Sequence, residues 1–416
     1  MAAFRVLLGI ARSSNTHWDD LLRAPAIESL TQADRNLTTA LVMGVLRWQL
    51  ALDALAARYL KRTSRLDDEV AIALRMGAWQ LLGMDRIPAH AAIGESVELT
   101  KVSGHTSASG MVNAVLRRVA ESAPGIRLDA RAAHPAWMLE RWTKHFGSDA
   151  VAAIADYNQR EPEMAVRCAD RTAAVSPGAF LRRACRVTGA VPESARIQDE
   201  GSQLVAEIAG LGSRILDCCA APGGKTAILA ENNPRAEITA CDISESRMNA
   251  MRRSFARDPL TARIECVLAD ATGLAFRDDF DLILCDAPCS GTGTLARNPE
   301  IKLRLAPEEL KRQQERQIAI LRSAYRVLAP GGRLVYSTCS LEPEENREVI
   351  DALFADEPSA RLVDMGARLS SMQAEGSLTA DGARLLQETA LGDDCLLTLP
   401  GAVPCDGFFA AIVTRQ

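Results

Sequence analysis

The spacing of hydrophobic and polar positions changes character once along the chain. Up to about residue 122, apolar side chains recur at helical intervals, as from Leu37 to Trp48, from Val70 to Leu82 and from Ala108 to Val119. Breaks fall at Ile87-Pro88 and near Gly104. This pattern predicts a bundle of about seven short helices. A further helical stretch is expected from Pro135 to Tyr157, then an irregular segment from Glu161 to Arg196. From about Gln198 short apolar runs alternate with helical stretches. Strands are expected at 214–218, 237–241, 264–268, 281–285 and 333–337, and near the end at 395–399 and 408–414. Helices are expected at 225–231, 245–257, 307–327 and 344–355. Such alternation specifies a mainly parallel sheet with helices on both faces. The chain therefore reads as multi-domain: an all-α bundle over 1–125, a short α/β linker region over 126–197 and an α/β domain over 198–416.

Composition narrows the function classes. The chain has 416 residues, 48% hydrophobic and 24% charged, which fits a soluble protein with more than one core. Aromatics at 4% argue against broad base-stacking platforms. With a net charge of −5, any nucleic-acid contact must use a local basic face. The densest basic segment holds Arg167, Arg171, Arg182, Arg183 and Arg186, which reads either as solvated surface or as phosphate contact.

Eleven cysteines, an odd number with no CxxC pair, imply reduced thiols and a cytoplasmic protein. The N-terminus lacks the pattern of a signal peptide. No apolar run looks long enough to span a bilayer, so no membrane association is expected. The histidines are His17, His90, His105, His134 and His145, so chemistry in the last two-thirds must run without imidazole. Cys285 and Cys289 have a loose ligand spacing but no second pair, and no metal site is expected.

The first strand of the α/β part runs into Asp217-Cys218-Cys219-Ala220-Ala221-Pro222-Gly223-Gly224-Lys225-Thr226. Small residues there let the backbone approach a ligand, and the following helix opens with free N–H groups. The spacing fits neither a phosphate-binding P-loop nor a dinucleotide fingerprint. Asp242 ends the second strand, where an acid can accept ribose hydroxyls, and Asp270 follows the third, near where an adenine edge would lie. Either acid could instead cap the next helix. Together, without a phosphate loop, they suit S-adenosyl-L-methionine, which carries a ribose and an adenine but no phosphate.

Two further strand ends carry Asp286-Ala287-Pro288-Cys289-Ser290-Gly291-Thr292-Gly293 and Tyr336-Ser337-Thr338-Cys339-Ser340. Carbon 5 of a pyrimidine is a poor nucleophile until a thiolate adds to carbon 6. That chemistry needs a nucleophilic cysteine, an acid near ring nitrogen 3 and a second group that assists release. Asp286, Cys289 and Cys339 supply those groups. Cys218, Cys241, Cys266 and Cys285 read as packing residues. The residues alone do not say which of the two remaining thiols attacks.

These strings, with Arg297-Asn298-Pro299-Glu300-Ile301-Lys302 and Asp406-Gly407-Phe408-Phe409, closely resemble the RNA cytosine-5 methyltransferases, over Gln198 to the end. The resemblance implies a Rossmann-like class I methyltransferase fold. It makes Cys339 the nucleophile, Cys289 the residue that assists product release and Asp286 the group that steadies the cytosine. It places S-adenosyl-L-methionine on Cys219, Ala220, Ala221, Pro222, Gly223, Gly224 and Lys225, with Asp242 on the ribose, Asp270 near the adenine, and Asp286 near the methyl group and paired with Lys225.

The runs Arg86 to Ile93, Val97-Glu98-Leu99 and Ser107 to Arg118 resemble the NusB-like helical domain, expected to contact RNA. Together the two resemblances point to the bacterial 16S ribosomal RNA cytosine-5 methyltransferases of the RsmB/Fmu type. They imply an RNA substrate, 16S rRNA before or during small-subunit assembly, and a monomer. In that family a small ferredoxin-like fold usually precedes the catalytic part. Here Glu161 to Arg196 looks abbreviated, which keeps transfer RNA open as the substrate. A non-catalytic ribosome-assembly factor is the more distant alternative.

Overall fold

The computed structural model describes residues 1–13, 17–60, 66–168, 175–192, 195–277 and 279–416. It divides into two compact units. One is Met1–Glu161 with Leu295–Arg304; the other is Pro162–Thr294 with Leu305–Gln416. The division thus falls near residue 161, and 126–197 forms no unit of its own. The reason is packing: Met138, Trp142, Val151 and Ile154 are fully buried in the helical unit. The segment from Pro162 joins the second unit instead.

The helical unit holds the expected bundle, with helices at Ala2–Arg12, Trp18–Leu22, Pro25–Glu28, Gln32–Ala57, Asp68–Gly83, Ala89–Val102 and Ser109–Ser122. The helical stretch expected from Pro135 to Tyr157 consists of two helices, Ala136–Phe146 and Ser148–Gln159, with Gly147 at φ 82° between them. The helix Gln32–Ala57 begins at a Thr31 cap whose hydroxyl accepts from Asp34 N–H at 3.2 Å. It is not short. By length and composition it could cross a membrane, contrary to the expectation that no segment could. Its apolar content reflects two cores met in succession along its length: Leu41, Val42, Val45 and Leu46 pack in one, and Leu52, Leu55 and Ala56 in the other. Half of its most apolar window is buried in the unit.

Residues Leu295–Arg304 are tied into these helices by backbone carbonyls. Arg47 Nη2 donates to Ala296 O at 3.0 Å, and Lys302 Nζ donates to Arg47 O at 2.8 Å. Trp18 Nε1 donates to Arg297 O at 3.0 Å, and Arg304 Nη2 to Ile10 O at 2.9 Å.

The second unit opens with a small antiparallel sheet where an irregular segment was expected. Its strands are β1 (Ala165–Arg167), β2 (Val175–Pro177), β3 (Ala184–Val187) and β4 (Arg196–Ile197), in the order β2-β3-β1-β4. Strands this short leave too little alternation to read from sequence. Within the basic cluster Arg167 is buried, while Arg182 and Arg183 are exposed. Arg167 is buried against Glu207 and Glu231, Arg183 and Arg196 also face Glu231, Arg186 pairs with Glu163, and Arg182 donates to Gly376 O. Arg171 lies outside the described residues.

The large sheet is the expected one. Its strands are β5 (Arg214–Asp217), β6 (Glu237–Asp242), β7 (Glu265–Leu268), β8 (Phe280–Asp286), β9 (Leu328–Thr338), β10 (Ala360–Leu362), β11 (Leu391–Gly392), β12 (Cys395–Leu397) and β13 (Phe409–Arg415). The order is β11-β12-β13-β9-β8-β5-β6-β7, with β10 paired to β13. From β7 to β9 all pairs are parallel, and β13 and β12 run antiparallel. The strand order reverses between β5 and β8. Ligands of open α/β sheets bind at such a reversal, beyond the carboxyl ends of the strands. The fold is a Rossmann-like sheet that follows an all-α unit along the chain, as the sequence indicates.

Candidate active site

Every chemistry-bearing motif leaves the same edge of the sheet. Asp217 ends β5, Asp242 ends β6, Asp286 ends β8, and Asp270 and Cys339 follow β7 and β9. Because β8 and β9 pair in register, Asp286 opposite Ser337, the loops after them emerge side by side. Gly293 N–H then donates to Cys339 O at 2.9 Å, and Gly407 N–H donates to Gly293 O at 2.8 Å. A Cβ on Gly293 would lie 2.2 Å from Gly407 O, so the SGTG and DGFF runs need glycine where they meet. These contacts bring Cys289 Sγ to 3.4 Å from Cys339 Sγ. The hydrogen bond to Cys339, together with burial, pushes the Cys289 thiol pKa well above its usual range.

Asp286 is held from both sides. Lys225 Nζ donates to Oδ2 at 2.7 Å and Ser337 Oγ to Oδ1 at 2.7 Å. Burial works against the Lys225 charge, but the Asp286 carboxylate outweighs it and the amine pKa is raised. The Phe408 ring lies 5.2 Å from Lys225 Nζ, which gives the closing DGFF run a place in the site.

The loop between β5 and its helix is a tight cradle. Gly223 takes φ +100°, and a Cβ there would strike Phe255 at 2.6 Å. Asp242 reaches back to it, accepting from Ala221 N–H at 3.2 Å on Oδ2 and from Ser244 N–H at 2.8 Å on Oδ1. Arg247 Nη2 lies 3.1 Å from Oδ1. Asp270 caps the turn Ala271–Gly273 through Thr272, whose N–H and hydroxyl lower its pKa.

Two cavities of about 210 and 140 Å³ adjoin here, sharing Cys219, Ala221 and Asp286. The larger takes in Asp242, Asp270, Cys289 and Cys339, and the smaller Ala220, Pro222, Gly224 and Lys225. Gly223 is the one residue of the expected loop that lines neither; it shapes the backbone instead.

Several lining residues were not picked out from sequence. Ile243 lies in the larger cavity and is half exposed, an apolar side chain directly after the β6 acid. Arg247, Arg316 and Ile320 line it too. Asp217 lines the smaller cavity. One oxygen accepts from Thr226 Oγ1 at 2.7 Å, while Oδ1 meets no donor among the described residues. Burial, with the Asp286 charge adding to it, raises the Asp217 pKa to about 7.

This geometry can be set beside known proteins. The family model 16S rRNA methyltransferase RsmB/F matches residues 210–414, and the NusB family model matches residues 1–121. The chain is 35% identical to ribosomal RNA small subunit methyltransferase B of Pseudomonas putida, over 84% of this chain and 88% of that protein. It is 30% identical to the protein of the same name from Xanthomonas campestris, over 100% and 96%. The chain belongs to the ribosomal RNA small subunit methyltransferase B family.

Among solved structures, PH0851 aligns with a TM-score of 0.75 at 20% identity, covering 100% of this chain and 98% of that one. NSun6 from Pyrococcus horikoshii with SFG aligns at 0.55 and 17% identity, covering 70% and 99%. At those identities the likeness concerns the fold. As a member of the methyltransferase B family, the chain is an S-adenosylmethionine-dependent RNA methyltransferase. The cradle suits that cofactor: an orphaned buried carboxylate oxygen on Asp217, acids at two strand ends and an exposed apolar side chain on Ile243 fit a ligand with an amine, a ribose and a flat base.

Proposed function

We propose that this chain methylates carbon 5 of a cytosine in 16S ribosomal RNA through a covalent bond between Cys339 and carbon 6. The observation that carries this reading is the Cys289–Cys339 pair at 3.4 Å, beside an Asp286 fixed by Lys225 and Ser337. The five histidines all lie at or before His145, so thiols and carboxylates must move the protons. The family names of the relatives support the ribosomal substrate.

The target base must leave its stack, because carbon 6 is open to attack only from above the ring face. Asp286 holds the polar edge of the base near nitrogen 3. Cys339 releases its proton to solvent and the thiolate forms the Sγ–carbon 6 bond, which moves the ring electron pair to carbon 5. S-adenosylmethionine supplies the methyl group as the electrophile. Cys289 releases its own proton to solvent, and the resulting thiolate takes the carbon 5 proton. That C–H electron pair restores the carbon 5–carbon 6 double bond, the Sγ–carbon 6 bond breaks, and the Cys339 thiolate is regenerated. The raised Cys289 pKa makes its thiolate a strong base for that proton, and the cycle closes with Cys289 as thiol, Cys339 as thiolate and one proton released to solvent.

Asp242 would hold the ribose, Asp270 the adenine edge and Ile243 the adenine face, with Cys219 to Lys225 under the amino-acid end. The helical unit would contribute RNA contact.

The test is the identity of the product. Unmodified small-subunit RNA and unmodified transfer RNA are incubated separately with methyl-labelled cofactor and digested to nucleosides. Label should appear in 5-methylcytidine. Label in a ribose- or N4-methylated nucleoside would contradict the carbon 5 assignment, and label only in transfer RNA would move the substrate.

A further inference from the structure

We infer that Glu345 is a positioning residue that holds the two reactive thiols together, tying the loop that carries Cys289 to the loop that carries Cys339. The inference rests on the two-thiol reading above. Glu345 is completely buried, at 0% exposure, in the turn Pro343–Glu345 that follows the Cys339 loop. Its Oε1 accepts from Ser290 N–H at 2.8 Å and from Gln317 Nε2 at 3.0 Å. Its Oε2 accepts short hydrogen bonds from the hydroxyls of both Ser290 and Ser340. Ser290 directly follows Cys289, and Ser340 directly follows Cys339. One carboxylate therefore fixes the residue after each thiol.

The surroundings fit this use. Gln317 also donates to Pro288 O at 2.9 Å, so the Cys289 loop is gripped on both sides of the cysteine. Tyr336 Oη donates to Glu345 O at 2.6 Å, which sets the backbone of the turn. Asn346 Nδ2 donates to Ser340 O at 2.8 Å, and Ser340 Oγ accepts from Glu342 N–H at 3.0 Å. Four donors converge on Glu345, and a carboxylate has acceptor sites for all four. An amide of the same shape accepts on one atom only and turns two donors against the serine hydroxyls. Glu345 does not line either cavity beside the thiols; besides its hold on their loops, its charge contributes to the raised Cys289 pKa.

The test reads thiol placement without substrate. A diazene oxidant converts the two thiols to a disulfide, taking two electrons and two protons and becoming the hydrazine. The rate at which the Cys289–Cys339 disulfide forms is followed by peptide mass spectrometry in the full chain. Methyl transfer and cofactor binding are measured in parallel. Glu345→Gln and the Ser290→Ala/Ser340→Ala double variant are compared with the parent, each first checked for native circular dichroism. The second variant keeps the carboxylate and removes only its links to the two hydroxyls.

Both should close the disulfide about tenfold or more slowly and lower kcat by up to about 100-fold, the order of loss that an ångström of misplacement causes. Cofactor affinity should stay unchanged. A folded Ser290→Ala/Ser340→Ala variant, which keeps the Glu345 charge, that closes the pair at the parent rate overturns the inference. Slower closure with unchanged methyl transfer would uphold the positioning role and remove the two-thiol mechanism instead.

Discussion

Cys289 Sγ lies 3.4 Å from Cys339 Sγ, although 50 residues separate them in sequence. The closeness follows from the sheet. β8 and β9 are adjacent and parallel, with Asp286 level with Ser337, so each thiol sits a few residues past the same sheet edge. The chain reverses beyond β8 through glycines packed on glycine, which keeps that loop over the neighbouring strand.

Asp242 should matter for cofactor binding and not for the chemistry. Its Oδ2 has one donor, the Ala221 N–H, and so retains acceptor capacity for a hydroxyl. Asp242→Ala should weaken S-adenosylmethionine binding by roughly 1.5–3 kcal/mol, the range for a hydrogen bond to a charged group. Calorimetric titration measures this directly. Unchanged affinity would remove Asp242 from the site.

Asp217 should give the fold an unusual pH dependence. Its pKa in the native state is raised from 3.8 to about 7. Between those values the native protein keeps a proton that the unfolded chain releases, so stability falls as pH rises from about 4 to about 7. The slope from this one group is at most about 1.4 kcal/mol per pH unit. Asp217→Asn should lose that component, so denaturant midpoints of parent and variant should diverge across the window, the parent falling relative to the variant. Parallel curves would contradict it.

Lys302 should act in the opposite direction. It is buried in the helical unit, and burial, with the Arg47 charge adding to it, lowers its pKa from 10.5 to about 7. Between about 7 and 10.5 the unfolded chain binds a proton that the native one lacks, so stability rises with pH there. Lys302→Met should remove the rise. Thermal melts of both proteins from pH 7 to 10 check this, and an identical pH profile in the variant would count against it.

Much of the site was legible because its chemistry is local in sequence. The loop Cys219 to Lys225, the acids at strand ends and the two cysteine motifs each sit where apolar runs stop, and the parallel sheet brings those stops together. The Lys225–Asp286 pair, which the family resemblance implied, is present. What depends on distant packing was not legible. Nothing local marks Glu345 as the acceptor for Ser290, 55 residues before it, or Phe408 as the ring beside Lys225. The basic run around Arg167 was ambiguous as text, because its partners Glu207 and Glu231 lie on later helices. The four short strands between Ala165 and Ile197 were invisible for want of length, and Gly147 was passed over as a helix break because its positive φ shows only in three dimensions.

The most direct test of the covalent mechanism is trapping. Cys289→Ala, incubated with S-adenosylmethionine and unmodified small-subunit RNA, should accumulate a protein–RNA adduct that survives a denaturing gel, because the adduct forms at Cys339 and cannot release. The band should vanish in the Cys289→Ala/Cys339→Ala double variant. A band that persists without Cys339, or no band from a Cys289→Ala protein that still binds cofactor and RNA, would contradict the assignment of the two thiols.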